Sequence, residues 1–308
     1  MPSATEIVAA LGFADALVGR SHECDFPDEV LDLPVCTEPK LDPQGSSERI
    51  HASVGALLAE ALSVYRVDAG RLRELEPTHV VTQVQCEVCA VSLRDVRDAL
   101  TDWAAARPEL VALNPGSLED VFGDVARVAA ALGAPDRGAR LVARIREGMA
   151  AIASTASAAS GVSPRPRVAT IEWLSPLMTA GNWMPELIAM AGGTDVFGVA
   201  GAHSRWMEWE ELCAADPDLL LVFPCGFSLG RVAREMGLLT ERPGWTGLRA
   251  VRDGRVYLAE SNQYFNRPGP RLLETLEIVA EVLHPEAFAF GHEGKDWLRL
   301  GPAGARLE

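Results

Sequence analysis

The sequence lacks long apolar runs. No stretch approaches the length of about 18 consecutive apolar residues that a membrane-spanning helix needs. The amino-terminal segment MPSATEIVAALGFAD has no basic region before its apolar part, and Glu6 interrupts that part, so the pattern of an export signal is missing as well. These absences predict no membrane insertion and a cytoplasmic location. An export signal encoded upstream of Met1 would instead predict a periplasmic or other extracytoplasmic location.

Cysteine and basic charge are both scarce. Six cysteines among 308 residues are too few for a disulfide scaffold in a large domain, so reduced thiols are expected. The chain has 28 Lys and Arg residues against 43 Asp and Glu residues, which gives a formal net charge of −15. Because affinity for nucleic acids comes largely from Lys and Arg that neutralise phosphates, this balance excludes a nucleic acid partner.

Sequence motifs of the common catalytic sites are also missing. The chain contains no nucleophile elbow, phosphate-binding loop, HExxH pair or dinucleotide-binding fingerprint. We therefore expect a binding protein rather than an enzyme.

Apolar periodicity is what the sequence does have. Ser3 to Glu6 have the spacing of a capping box, and Gly12 provides a left-handed stop for the helix that would follow. Helical spacing predicts helices at residues 4–11, 53–76, 91–103, 118–132, 136–158, 185–191, 209–215 and 268–283. Short apolar runs predict strands at residues 17–20, 79–83, 110–113, 168–172, 219–223 and 255–259. Residues 286–308 have the composition of a loosely packed tail.

The order of these elements predicts an α/β fold with mostly parallel sheets, because strands and helices alternate. The helix at 136–158 would be about 35 Å long, and a segment rich in Gly and Pro follows it. We expect two α/β lobes, residues 1–133 and 161–308, joined by a connecting helix at 134–160. The ligand cleft would then lie between the lobes.

Four cysteines follow predicted strands, where α/β proteins place their ligand crevices. They are Cys24, the Cys86-x-x-Cys89 pair and Cys225. Such thiols could bind a soft metal ion or a metallocluster, or the pair could cycle between dithiol and disulfide in a thiol-dependent enzyme. Inert, buried thiols are the plain alternative.

Aromatic, basic and imidazole side chains form a second group of candidates. Flat rings beside a cleft suit a flat macrocycle, and an arginine before a helix suits an anionic group. Histidines in loops near the cleft could act as axial ligands. The candidates are Trp173, Trp183, Phe227, Tyr264, Phe265, Arg267, His22 and His203.

Five motifs occur in an order that is more specific than any one of them. They are Pro2–Ile7, Gly19–Asp25, Cys86–Ser92, Pro224–Phe227 and Phe265–Pro270. With these motifs the chain resembles the cobalamin-binding branch of the class III, helical-backbone substrate-binding proteins of ABC transporters.

The resemblance implies that the two lobes are Rossmann-like and that cobalamin, haem or an iron–siderophore complex binds between them. It also implies that an ABC importer permease is the partner. We expect cobalamin or a related corrinoid as the ligand, either in solute uptake or in a cytoplasmic homologue of such a component. Haem or iron–siderophore binding, cytoplasmic metal or metallocluster binding, and a thiol-dependent enzyme are the alternatives.

Overall fold

Strands and helices alternate along the parts of the chain that the computed structural model describes, residues 2–60, 63–84, 93–100, 107–160 and 164–301. The chain divides into two compact units. The first contains residues 1–115 and 119–144, and the second contains residues 116–118 and 145–308. The mixed α/β architecture with parallel sheets confirms the predicted fold class. The predicted domain bounds at 133 and 161, and the cleft, stay predictions.

The first unit contains two small sheets. Its elements are α1 (Pro2–Ala10), β1 (Thr37–Pro39), α2 (Ser47–Ala59), β2 (Tyr65–Val67), α3 (Ala69–Leu75), β3 (His79–Gln83), α4 (Leu93–Ala99), β4 (Glu109–Leu113) and α5 (Leu118–Ala131). β1 and β2 pair antiparallel, whereas β3 and β4 pair in parallel over all five residues. The long helix α6 (Pro135–Ser160) follows, and its residues are divided between the two units after Arg144.

The second unit is built around a five-stranded sheet. The strands of the second unit, in this sheet and in a smaller one, are β5 (Arg167–Ile171), β6 (Trp173–Leu174), β7 (Leu177–Thr179), β8 (Thr194–Asp195), β9 (Arg205–Trp206), β10 (Leu219–Val222), β11 (Val256–Ala259) and β12 (Trp297–Arg299). Its helices are α7 (Met184–Met190), α8 (Trp209–Ala215), α9 (Leu229–Glu235), α10 (Gly237–Thr240), α11 (Arg249–Arg252) and α12 (Leu272–Leu283).

The strand order of this sheet is β8-β5-β10-β11-β12, with only β12 antiparallel. All four residues of β10 and of β11 are buried, as expected for strands covered on both faces. β6, β7 and β9 form a separate three-stranded antiparallel sheet. Within the described residues, no helix is both long enough and apolar enough to cross a bilayer.

The predicted capping box at the amino terminus is wrong. α1 already begins at Pro2, and Ser3 lies on its buried face with 1% of its surface exposed. The Ser3 hydroxyl donates a hydrogen bond to Gln83 Oε1 at 3.0 Å instead of capping the helix. Gly12 does provide the expected left-handed stop, with φ of 81°.

Two other predictions in the first unit are wrong. The predicted helix at 53–76 is two helices separated by β2, because Ser46 and Asp68 each cap a new helix by accepting a backbone hydrogen bond. The predicted strand at 17–20 is reduced to one bridge, between Arg20 and Val35. A three-residue strand and a single bridge are too short for periodicity to separate them from their surroundings.

The carboxyl-terminal predictions also need correction. α12 begins at Leu272 and not at Pro268, because a π turn over Ser261–Phe265 and a loop occupy the preceding residues. The predicted loose tail contains β12, which pairs with β11 at the edge of the main sheet. Trp297 in β12 is only 3% exposed, and its Nε1 donates to Glu281 Oε2 at 2.7 Å.

Candidate ligand-binding site

The carboxyl ends of the parallel strands β5, β10 and β11 lie along one edge of the second unit's sheet. Ligands of open α/β proteins bind outside this edge. Glu172 follows β5, Cys225 comes soon after β10, and Ser261 comes soon after β11. The backbone N–H of Cys225 donates to the Glu172 carbonyl at 3.0 Å, which ties two of these strand ends together.

A network of side-chain hydrogen bonds surrounds the Glu172 carboxylate. Ser204 Oγ donates to Oε2, and Asn266 Nδ2 donates to Oε1 at 3.0 Å. Ser261 Oγ lies 2.7 Å from Asn266 Oδ1 and completes the chain of contacts. Both carboxylate oxygens therefore have donors, and three separate segments of the second unit are fixed at one edge of the sheet.

Gly181 allows the segment with Ser204 to approach closely. A Cβ at this position would lie 2.7 Å from the Ser204 backbone nitrogen and closer still to the Ala202 carbonyl oxygen. The Gly181 N–H donates to Ser204 Oγ at 3.1 Å, and the N–H of Asn182 donates to the Ala202 carbonyl at 2.6 Å. Any side chain at position 181 would push Ser204 away from Glu172.

The four rings that sequence reasoning placed at the site are buried in the second unit. Trp173, Trp183, Phe227 and Phe265 are 9%, 5%, 1% and 1% exposed. Trp173 packs edge-on against Phe227 at 5.4 Å, and Trp183 Nε1 donates to the Phe265 carbonyl at 3.2 Å. These rings form the packed layer beneath the carboxyl edge, and their contact with a ligand stays a prediction.

Tyr264 and Arg267 lie in the segment that leads to α12. Tyr264 is half-buried, and its ring lies 6.1 Å from that of His292. Burial, together with the negative charge of Asp296, raises the pKa of Tyr264 to about 12. Arg267 is only 4% exposed. Burial and Asp296 therefore keep the Tyr264 hydroxyl protonated, and a ligand would meet it as a neutral group.

The first unit contains His22 and Cys24, each in contact with a threonine hydroxyl. Cys24 is 1% exposed, and its Sγ lies 3.0 Å from the hydroxyl of Thr5. His22 Nδ1 lies 2.7 Å from the hydroxyl of Thr37, and its ring packs at 5.3 Å from that of Tyr65. Burial lowers the pKa of His22, so its imidazole is neutral at neutral pH.

The remaining thiol and imidazole candidates divide into three cases. Cys86 and Cys89 lie outside the described residues. Cys225 is half-buried beside Glu172, and His203 is exposed next to Ser204. Among the described residues, no group of three or more His, Cys, Asp or Glu side chains is arranged to hold a metal ion. Convergence of the four thiols stays a prediction.

Sequence reasoning missed Glu172, Ser204 and Asn266, which form the network, and Trp206, which presents an exposed ring in β9. One signal was available, since Glu172 is the first charged residue after the apolar strand β5. Asn266 lies within the Phe265–Pro270 motif but was not chosen as a candidate, and Ser204 carried no signal, because only the folded chain brings it to Glu172.

Comparison with known proteins identifies a family. A sequence model described as periplasmic binding protein matches residues 1–263. An uncharacterized ABC transporter substrate-binding lipoprotein of Bacillus subtilis is 22% identical over 94% of this chain and 79% of its own. A vitamin B12-binding protein of Vibrio parahaemolyticus is 22% identical over 91% of this chain and 86% of its own.

Solved structures share the fold at low sequence identity. A periplasmic heme-binding protein of Pseudomonas aeruginosa matches with a TM-score of 0.68 and 21% identity, over 93% of this chain and 91% of its own. The heme-binding protein RhuT of Roseiflexus matches with a TM-score of 0.66 and 24% identity, over 93% of this chain and 96% of its own. The vitamin B12-binding protein BtuF of Vibrio cholerae matches with a TM-score of 0.63 and 17% identity, over 92% of this chain and 94% of its own.

These findings correct the expected location. The cytoplasmic location inferred from the amino-terminal sequence is wrong, because the matching family consists of periplasmic binding proteins and the relatives are a lipoprotein and periplasmic proteins. The physical reason for the error is that export signals in general are not part of the folded domain, so the composition of a folded domain does not report its location.

Proposed function

The chain belongs to the periplasmic binding protein family, and from this premise we propose that it binds cobalamin or a related corrinoid. It does so without catalysis, as the solute-binding component of an uptake system. It acts outside the cytoplasmic membrane and delivers its ligand to an ABC importer permease. Two relatives named for vitamin B12 binding, from Vibrio parahaemolyticus and Vibrio cholerae, support this choice of ligand.

The observation that carries the proposal is the network on Glu172 at the carboxyl edge of the main sheet. Ser204 comes to it from one segment, and Asn266 and Ser261 come from another. A fixed set of a few polar groups above a packed aromatic layer is typical of sites for small ligands. Corrinoids have a flat macrocycle with polar amide groups at its rim, and these amides could exchange hydrogen bonds with such a set.

Haem is the second candidate. One observation supports haem: the heme-binding proteins of Pseudomonas aeruginosa and Roseiflexus match the structure with TM-scores of 0.68 and 0.66. The vitamin B12-binding protein of Vibrio cholerae matches with a TM-score of 0.63. Haem has carboxylates at its rim, and Glu172 would repel a carboxylate placed beside it. The negative charge of Glu172 therefore favours the corrinoid.

Titration with three ligands tests the proposal. Purified protein is mixed with cyanocobalamin, hemin or a ferric siderophore, and binding is followed by calorimetry and absorption. We expect the tightest binding for cyanocobalamin. An affinity for cobalamins weaker than about 1 mM refutes the assignment, and a hemin affinity at least about tenfold tighter identifies haem instead.

A pair of variants tests the site. Glu172→Ala removes the acceptor shared by Ser204 and Asn266, and we expect it to weaken cyanocobalamin binding about tenfold or more. Glu293→Ala removes an exposed carboxylate elsewhere in the second unit and serves as the matched control. Equal affinities for the two variants would show that the ligand does not depend on the Glu172 network.

A further inference from the structure

Residues 291–297, called the His292 turn below, contact the segment that carries Asn266. The backbone N–H of Glu260 donates to the Asp296 carbonyl at 2.7 Å. The turn leads into β12, which pairs with β11, and β11 ends just before Glu260. Further along the same segment, Asn266 donates to Glu172 at 3.0 Å. The turn therefore lies against the start of a segment whose far end belongs to the Glu172 network.

The Asp296 side chain reaches the middle of this segment, at Tyr264. Burial first, and then the negative charge of Asp296 and a hydrogen bond with its carboxylate, raise the pKa of Tyr264 to about 12. The protonated Tyr264 hydroxyl is therefore the donor of this hydrogen bond. The ring of Tyr264 also lies edge-on to that of His292, at 6.1 Å. Asp296 thus contacts the segment twice, through its backbone and through its side chain.

His292 and α12 hold Asp296 in place. His292 Nδ1 lies 2.7 Å from Asp296 Oδ2, and its Nε2 lies 3.1 Å from Glu277 Oε2 in α12. Glu281, also in α12, accepts from the N–H of Gly291 at 2.7 Å. A protonated imidazole donates from both ring nitrogens, so it satisfies both carboxylates at once. The His292 turn is therefore attached to a helix on one side and to residues 260–266 on the other.

The segment depends on such outside contacts for its position. Ser261–Phe265 form a π turn, a rare conformation that is frequent at functional sites. A helical turn this short has little stability of its own. The N–H of Ser261 donates to the Phe227 carbonyl at 3.2 Å and fixes its first residue, whereas the contact with Asp296 fixes Tyr264, two residues before Asn266.

We propose that His292 and Asp296 are positioning residues of the ligand site, which hold residues 260–266 so that Asn266 meets Glu172. This inference rests on the proposed function and adds the His292 turn to its site. When the turn is held, Asn266 is presented to the Glu172 network in one geometry. When the turn is released, the segment is less well placed, and ligand binding must supply the ordering that the turn no longer provides.

The charges around His292 make this hold depend on its proton. The ionisable groups that face His292 are Glu277 and Glu281 from α12, Asp296 from the turn and Tyr264 from the π turn. Arg271 and Glu274 face Tyr264 in turn. Because three of the groups around His292 are carboxylates, loss of its proton leaves their repulsion unbalanced and weakens the hold of Asp296 on the segment.

The pH profile of ligand affinity tests the positioning role. The pKa of His292 is about 9, so its proton is present at pH 7.5 and largely lost at pH 9.5. We expect the affinity for cyanocobalamin, measured by calorimetry, to fall about threefold between these values. His292→Gln should bind more weakly at pH 7.5 and show little further change, and circular dichroism checks that each protein is folded. Glu293→Gln removes an exposed carboxylate of the same turn and should follow the unaltered profile. An equal fall in His292→Gln overturns the proposal.

Hydrogen exchange of the unliganded protein at pH 7 tests the hold without any ligand. Asp296→Asn removes the charge at nearly constant size, and it should speed amide exchange in residues 260–266 about fivefold or more while β5 and β10 stay as protected as before. Unchanged exchange in the segment, or equal acceleration in β5 and β10, contradicts the positioning role. If the unaltered protein binds neither cyanocobalamin nor hemin, the proposed function fails, and the exchange result alone decides whether the turn holds the segment.

Discussion

Raising the pH from about 6 to about 9.5 should destabilise the second unit, because His292 holds a proton between two carboxylates. His292 Nε2 lies 3.1 Å from Glu277 Oε2, and Nδ1 lies 2.7 Å from Asp296 Oδ2. The hydrogen bond with Glu277 raises the pKa of His292 to about 9; burial opposes this, and Asp296 and Glu281 reinforce it. The same cluster joins α12 to the segment that leads into β12.

The sign and size of the effect follow from the pKa values. The pKa of His292 is about 9 in the folded state and 6.5 as the reference for the unfolded chain. The protonated histidine therefore stabilises the fold fully below pH 6.5, and this contribution is lost as the pH rises through about 9. The difference corresponds to about 3 kcal/mol, or a fall of about 8 °C in the melting temperature of a unit of this size.

Thermal unfolding followed by circular dichroism at several pH values measures this effect. His292→Gln should remove most of the fall, because glutamine cannot carry the charge. His203→Gln is the control, since His203 is exposed in the same unit and lies outside the cluster. If His292→Gln loses as much stability between pH 6 and 9.5 as the unaltered protein does, the reasoning about the cluster is wrong.

Three further predictions concern stability. Trp297→Ala should lower the free energy of unfolding in urea by about 4 kcal/mol, and Trp297→Phe should lower it by about 2 kcal/mol. Both variants remove the hydrogen-bond donor to Glu281, and only the alanine variant also leaves a large cavity. Equal losses for the two variants would contradict a separate contribution from the cavity. Gly181→Ala should lower both the melting temperature and cyanocobalamin affinity, since its Cβ would collide with the backbone at Ala202. Burial raises the pKa of Asp124 from 3.8 to about 6, so its ionisation weakens the first unit as the pH rises from 3.8 through about 6. Asp124→Asn should reduce that pH dependence in thermal unfolding.

The long, strongly periodic parts of the fold could be predicted from the sequence. The bounds predicted for β3 and α8 are the observed ones, and the bounds predicted for α5 and α6 differ from the observed ones by a few residues at most. The helices among these elements bury an apolar face, and β3 is a run of β-branched residues, so the local pattern reports them directly. The three-residue β2 and the two-residue β9 exist only because a partner strand pairs with them, and that partner is distant in the chain.

The candidate site was less predictable than the fold for the same reason. Aromatic residues near strand ends were a reasonable choice, yet Trp173 and Trp183 are buried as part of the packed layer. Whether a ring near a strand end packs inward or remains exposed depends on which segments cover it. Asn266 reaches Glu172 across 94 residues of sequence, and no local pattern encodes such a contact.

The close seating of the Ser204 segment on Gly181 offers a rule for recognising this site in other chains. Gly181 and Ser204 are separated by 23 residues, and the space between their backbones excludes a side chain at position 181. A chain with a larger residue there must hold the Ser204 segment further from Gly181, and this would weaken the contact between Ser204 and Glu172. The identity of this one residue thus indicates whether a related chain can form the Glu172 network.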